Sequence, residues 1–335
     1  MIQRSIESLQ VLSWQEELAS LIKDPETLFK RLNLDESRLP EAIEAHKLFP
    51  VRTTESFLRR IKHGDIHDPL LRQILPLGAE LNTPDNYSKD PLAEELYNPS
   101  PGIVHKYQGR VLLIASGQCA INCRYCFRRE FDYGGNKLDK AAWRQSLDYI
   151  QDRSDINEVI LSGGDPLSLS DKALKQHIHD IEKIPHIKRL RIHTRMPVVL
   201  PSRISPDLLS ALESTRLHCI VVIHCNHPQE VDEELSQSLI KLKNSCKAVL
   251  NQAVLLAGVN DSASTLYKLS ERLFECGVLP YYLHTLDKVA GAAHFDVSDK
   301  RAASLIDELR DQAPGYLVPK LVREIAGKNA KTPLY

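Results

Sequence analysis

Six short runs rich in branched and aromatic residues recur through the last two thirds of the chain, and they constrain the fold more than any other feature. They are RVLLIAS (110–116), EVILSGG (158–164), RLRIHTR (189–195), HCIVVIH (218–224), AVLNQAVLL (248–256) and LPYYLHTLD (279–287). Between them lie segments of helical length and mixed polarity, such as DKALKQHIHDIEK and EVDEELSQSLIKLKNS. Strands that alternate with helices run parallel, because each helix carries the chain back to the end of the sheet from which it left. The expected class is α/β, a parallel barrel of (β/α)6 type. In such barrels chemistry gathers at the carboxyl ends of the strands.

Ahead of these units the pattern differs. WQEELASLIKD, PETLFKRLNL, LPEAIEAHKLFP and TESFLRRIKHG place apolar residues three and four apart, which predicts short amphipathic helices. NTPDNYSKDPLAEELYNPSPG, rich in Pro, Asn, Asp and Ser, then reads as a connecting loop. The expected division is a helical region and linker over 1–100, a barrel core over 101–290 and a C-terminal segment over 291–335. With 43 basic and 44 acidic side chains the chain generates no overall field that would favour nucleic acid or an anionic membrane. No apolar run approaches the roughly 20 residues of a membrane span, and MIQRSIESLQ has no continuous apolar signal core, so a cytoplasmic location is expected. Seven cysteines without paired spacing fit a reducing compartment, where clustered thiols bind metal more often than they form disulfides.

Three of those cysteines, Cys119, Cys123 and Cys126, fall within CAINCRYCFRR just past the first predicted strand. A closed zinc site wants four ligands, usually as two separated pairs, and no second pair is evident here; zinc would need His105 or a distant residue as its fourth ligand. An iron–sulfur cube also normally takes four cysteines, so a trio leaves one iron without a protein ligand. An open iron can bind a small molecule.

The trio, with Tyr125 before its last cysteine and SGGDP closing the second predicted strand, resembles the radical S-adenosylmethionine enzymes. The likeness narrows over about 235 residues, through PGIVHKYQGRVLL, CRYCFRR, SGGDPLSLSD, RIHTRMPVVLPSRI, HCNHPQEV, NQAVLLAGVND, PYYLHTLD and AKTPLY, to the lysine 2,3-aminomutase family. The ending and LDKVAGAAHF resemble the branch that makes (R)-β-lysine for modification of elongation factor P. The resemblance implies an incomplete (β/α)6 barrel whose C-terminal segment folds back over the site. It implies a [4Fe–4S] cluster on the three cysteines, with S-adenosylmethionine on the open iron as the source of a 5′-deoxyadenosyl radical. Gly163, Gly164, Asp165, His224 and Gln252 match positions near that cofactor.

A radical migration of nitrogen between adjacent carbons needs a place for the unpaired electron, and the family uses pyridoxal phosphate, stored on a lysine. By resemblance that lysine is Lys331, with Lys328 as the competing position; the family's glycine-rich approach is reduced here to AGKNAK, with Gly327 alone. Lys106, Tyr107 and Arg110 match positions that bind the cofactor, Lys106 standing where fermentative members carry Arg. Arg128 is implied to pair with the substrate carboxylate. Asp287 and Glu324 are implied to pair with the ε-ammonium group, Glu324 replacing the usual Asp. The implied reaction is L-α-lysine to (R)-β-lysine, driven by an electron donor such as flavodoxin or ferredoxin and linked to elongation factor P and its lysyl-transferring ligase, with a homo-oligomer possible. Two other readings stand beside it: an aminomutase serving catabolism or osmotic protection, and an iron–sulfur protein that binds a macromolecule without isomerising anything.

Overall fold

The computed structural model describes residues 13–334. MIQRSIESLQ lies outside them. The helical region begins with α1 (Trp14–Ala19), α2 (Pro25–Leu32), α3 (Leu39–Leu48) and α4 (Glu55–Leu58). The limits of α2 follow from local chemistry. The Asp24 carboxylate accepts the Thr27 N–H at 2.7 Å, Pro25 supplies a preset φ at the first helical position, and Asn33 ends the helix in the left-handed region at φ 52°. Leu28, Phe29 and Leu32 form its buried stripe. The helix expected over TESFLRRIKHG is only the single turn α4. Beyond it Arg60 turns inward and donates to the backbone carbonyls of Val198, at 2.7 Å, and Glu230.

Among the described residues nine strands form one sheet in sequential order: β1 (Ile103–Tyr107), β2 (Arg110–Ser116), β3 (Glu158–Gly163), β4 (Arg189–Thr194), β5 (His218–Ile223), β6 (Ala248–Val254), β7 (Val278–His284), β8 (Lys320–Arg323) and β9 (Thr332–Pro333). From β2 to β8 each strand is parallel to the next, while β1 and β9 are antiparallel edges. The six predicted runs are β2 to β7. The parallel wall carries a seventh strand, β8, and the segment from 291 onward supplies it together with the preceding helix α11 (Asp299–Gln312); α5 to α10 are the helices between α4 and it. The longest of these, α5 (Lys140–Gln151), α6 (Asp171–Glu182), α9 (Glu233–Ser245) and α10 (Ala263–Glu275), are crossovers.

Register sorts the side chains by face. Leu113, Leu161, Ile192, Val221, Val249 and Val278 are successive cross-strand neighbours, and all are buried in the main apolar core. The apolar stripes of α6 (Leu174, Ile178, Ile181) and α9 (Leu235, Leu239, Leu242) belong to the same core. Residues of the opposite phase, among them Arg110, Ser162, His193 and Gln252, line an interior cavity, and the register shift between β6 and β7 brings His284 to it as well. With a period of two, one set of side chains packs against the helices and the other reaches the cavity, where polar residues stand beside apolar Leu112 and Ile160.

The helical region clamps the cysteine loop. Arg124, between Cys123 and Cys126, is fully buried and forms a two-point ion pair with buried Glu80, Nε to Oε1 at 2.8 Å and Nη2 to Oε2 at 2.6 Å. Arg129 adds a contact to Glu80 at 3.1 Å, and the Arg124 N–H donates to the Gln73 carbonyl at 2.9 Å. Removing one partner of a buried pair strands the other charge. Glu80→Gln is therefore expected to lower unfolding free energy by about 3–5 kcal/mol, read as a lower denaturant midpoint; a midpoint within experimental error of the parent would refute the clamp.

Candidate active site

The cavity holds about 490 Å³, within the range of small-molecule sites, and lies inside the sheet, running from Arg110 at the start of β2 to the loops at the carboxyl ends of the strands. All three cysteines of the loop after β2 line it, as do Lys331, Asp287 and Glu324 from the far end of the chain. Among the described residues no three His, Cys, Asp or Glu side chains converge as one metal ion requires. Burial pushes the Cys126 thiol up to about 11 and Cys119 well above its ordinary value. Both stay protonated unless a cation replaces the proton, which iron would do.

Gly163 and Gly164 line the cavity, and chain packing gives a second reason for them. Gly163 sits at φ +118°, and a Cβ there would come within 2.4 Å of the Ser116 carbonyl oxygen; one at Gly164 would lie 2.7 Å from that of Gln118. The glycines let the SGGDP turn dock against the start of the cysteine loop, a constraint of chain packing before any ligand contact. Asp165 lines the cavity beside them and is held by four contacts of its own. Its Oδ1 accepts from Thr194 Oγ1 and the Leu167 N–H, and its Oδ2 from the Arg195 and Met196 N–H groups. Both oxygens are spent tying the turn after β3 to the turn after β4.

A line of alternating charges crosses the other side of the cavity. Arg128 is held by Glu94 at two points, 2.6 and 2.8 Å, and its Nη1 reaches Ser162 Oγ at 3.3 Å. Lys106 lies between Glu94, 3.4 Å away, and Glu324, 3.1 Å away. Glu324 Oε2 accepts from Lys331 Nζ at 2.8 Å. Burial alone would raise the Glu324 carboxyl, but Lys331 and Lys106 bring it down to about 2. Burial would likewise raise Glu94, and Arg128 with Lys106 holds it below its ordinary value. Asp287 lines the same cavity with no ion pair among the described residues, and burial, then Glu324, push it up to about 7 against the pull of Lys331 and Lys106.

These contacts give Arg128 and Lys106 partners within the protein. The fork of Arg128 is taken by Glu94, so Nη1 is the edge that faces the cavity. The charge of Lys106 is met by two carboxylates. Arg110, packed over the Tyr107 ring at 4.3 Å, has no carboxylate partner among the described residues and is the guanidinium suited to a phosphate. The two-residue strand β9 brings Lys331 to this place: Thr332 pairs with Arg323 and Pro333 with Val322, which sets Lys331 beside Glu324. Gly327, at φ +82°, gives the intervening turn its one left-handed residue, so a single glycine suffices. Lys328 is exposed and does not line the cavity.

His224 and Gln252 line the cavity, with His224 Nε2 and Gln252 Oε1 unpartnered; so do His193 and His284, each with an unpartnered Nε2. Buried polar atoms are normally paired, so four such atoms around one cavity fit an occupant rich in donors and acceptors, as S-adenosylmethionine and pyridoxal phosphate are. Burial lowers His224 to about 4 and His193 and His284 well below the usual range, so all three are neutral near pH 7 and can each offer a donor and an acceptor. His193, His284, Glu94 and Arg195 were not singled out from sequence. Strand alternation offered a signal for the two histidines, which lie an even number of residues from other cavity-facing positions on β4 and β7. Glu94 sits in the stretch read as linker and offered none.

Residues 113–262 match the family model of the Radical SAM superfamily. Fold and site therefore define an enzyme class that works with a [4Fe–4S] cluster and S-adenosylmethionine. The chain is 48% identical over 320 residues to the L-lysine 2,3-aminomutase of Haemophilus influenzae, covering 96% of this chain and 95% of that one. It is 48% identical over 322 residues to that of Escherichia coli, covering 96% and 94%. Its identity to that of Clostridium subterminale is 33% over 323 residues, covering 96% and 77%. The protein belongs to the lysine 2,3-aminomutase family and is an isomerase of that type. Among solved structures, Streptococcus suis SuiB bound to S-adenosylmethionine is similar with a TM-score of 0.47 and 14% identity, over 66% of this chain and 52% of that one. Among the described residues no helix is long and apolar enough to cross a membrane.

Proposed function

We propose that the protein converts L-lysine to (R)-β-lysine with a cluster on Cys119, Cys123 and Cys126 and pyridoxal phosphate on Lys331, and that the product serves the modification of elongation factor P. The observation that carries this reading is the meeting of the cysteine loop and a C-terminal lysine, about 200 residues apart in the chain, in one cavity. When bound, pyridoxal phosphate supplies delocalisation for the migrating nitrogen's unpaired electron. Arg110 and Tyr107 would hold its phosphate end, with Lys106 setting the charge of Glu324 beside it. His224 and Gln252 supply the unpartnered polar atoms for S-adenosylmethionine, while Gly163, Gly164 and Asp165 shape the wall. Arg128 offers Nη1 to the substrate carboxylate, and Asp287 and Glu324 meet the ε-ammonium. The elongation factor link is supported by the likeness of LDKVAGAAHF.

The test is anaerobic incubation with L-lysine, S-adenosylmethionine, pyridoxal phosphate and a strong reductant such as dithionite or reduced flavodoxin, followed by chiral amino-acid analysis. (R)-β-Lysine is the expected product. The (S) enantiomer, or no isomer, would count against the proposal. A transfer assay with the ligase and elongation factor P then separates modification from catabolic or osmotic use.

Asp287 gives the reaction a pH signature. Its carboxyl titrates near 7, and only the ionised form can pair with an ammonium group. kcat/KM for lysine is expected to rise as pH increases through about 7. Asp287→Asn should flatten that rise and lower kcat/KM by about two to three orders of magnitude, the loss of one buried partner of a charge. An unchanged pH profile in the variant would remove Asp287 from the substrate site.

A further inference from the structure

Arg195, just past the end of β4, is 5% exposed and touches a cysteine sulfur. Its Nη1 lies 2.8 Å from Cys123 Sγ and 2.6 Å from the Tyr125 hydroxyl. Its Nη2 donates to Gln73 Oε1 at 2.6 Å and to Glu230 Oε2 at 3.2 Å. The other Glu230 oxygen accepts from the Asn226 and His227 N–H groups, and Asn226 Nδ2 donates to the Tyr125 hydroxyl at 2.6 Å. The guanidinium is thus fixed on two edges by groups from the helical region, the cysteine loop and the turn after β5. Its Nε has no partner among the described residues, although Arg195 lines the cavity. Among those residues no guanidinium hydrogen-bonds the sulfur of Cys119 or Cys126.

We propose that Arg195 is a positioning residue for the cluster: its N–H, donated to the Cys123 sulfur, raises the potential at which the cluster accepts an electron. The inference rests on the cysteine assignment above. A thiolate bound to iron gains negative charge when the cluster is reduced, so a fixed cationic N–H at that sulfur stabilises the reduced state more than the oxidised one. The electron itself comes from the external donor. An arginine can do this while anchored, because one edge grips Gln73 and Glu230 while Nη1 faces the sulfur.

The test is an EPR-monitored redox titration of anaerobically reconstituted Arg195→Gln, with iron and sulfide content measured alongside. At full loading the midpoint potential is expected to fall by at least a tenfold change in the ratio of the two states, about 59 mV for one electron. An unchanged midpoint in a fully loaded variant overturns the proposal. A second measurement needs no variant: in the parent protein carrying isotopically labelled guanidino nitrogens, pulsed EPR of the reduced cluster is expected to show a weakly coupled guanidino nitrogen, and its absence likewise overturns it. Failure of the cysteine assignment looks different, because Cys123→Ala would then retain the cluster.

Discussion

Lys331→Ala is expected to fold, to load its cluster, and to lose both turnover and the pyridoxal phosphate that borohydride would otherwise fix to the protein. Lys331 lies next to the two-residue edge strand β9, with its side chain 18% exposed, and when it is removed Glu324 keeps its contact to Lys106. The cost to stability should stay near the ~1 kcal/mol of a partly exposed ion pair. The cost to chemistry is complete, because among the described residues no other lysine amine is placed to replace it: Lys106 is held between two carboxylates, and Lys328 is exposed and outside the cavity lining. Peptide mapping after borohydride reduction decides the matter. Reduced cofactor on the peptide bearing Lys328 would move the attachment site and, with it, the role given to the β9 pairing.

Replacing Cys119, Cys123 or Cys126 by Ala should each abolish the EPR signal of the reduced cluster that shifts on addition of S-adenosylmethionine, and with it all isomerase activity. The remaining cysteines cannot substitute. Cys219, Cys225 and Cys276 are buried, and neither they nor Cys246 line the cavity. The loop itself should survive each change, because the Arg124–Glu80 pair and the backbone bonds from Asn122 and Arg124 to Arg52 and Gln73 hold it independently of the sulfurs. Loss of signal in a protein with parental unfolding behaviour would therefore report ligation and not collapse. A ligand-responsive cluster in all three variants would sink the assignment.

The two experiments probe parts of the molecule that differed in how openly the sequence displayed them. The runs that became β2 to β7 were readable because parallel strands buried on both faces carry enough branched apolar residues to stand out. β8 and β9 were not, being four and two residues long, too short for a period to register. β1 was missed although YQGR carries a turn signal: Tyr107 pairs with Arg110 across Gln108–Gly109, with Gly109 at φ +78°. Composition also misplaced Glu94. A stretch rich in Pro, Asn and Ser contains a carboxylate that is 4% exposed and bonded twice to Arg128.

What the sequence determined by itself was everything set by near neighbours: the caps and stripes of the helices, the order of strands, the cysteine spacing, and the glycines that permit the turn after β3. The family likeness further marked Lys331, Asp287 and Glu324, but not what they touch. Only the tertiary structure decided that Glu324 accepts from both Lys106 and Lys331, that Glu94 occupies the fork of Arg128, and that Arg195 reaches the sulfur of Cys123. The physical reason is separation along the chain. Lys106 and Glu324 are 218 residues apart and Arg195 and Cys123 are 72 apart, so each pairing exists only because sheet register brings their strands and the adjoining loops around one cavity. A buried charge shows its partner nowhere in its own flanking sequence; burial makes a partner obligatory, and the fold chooses which one.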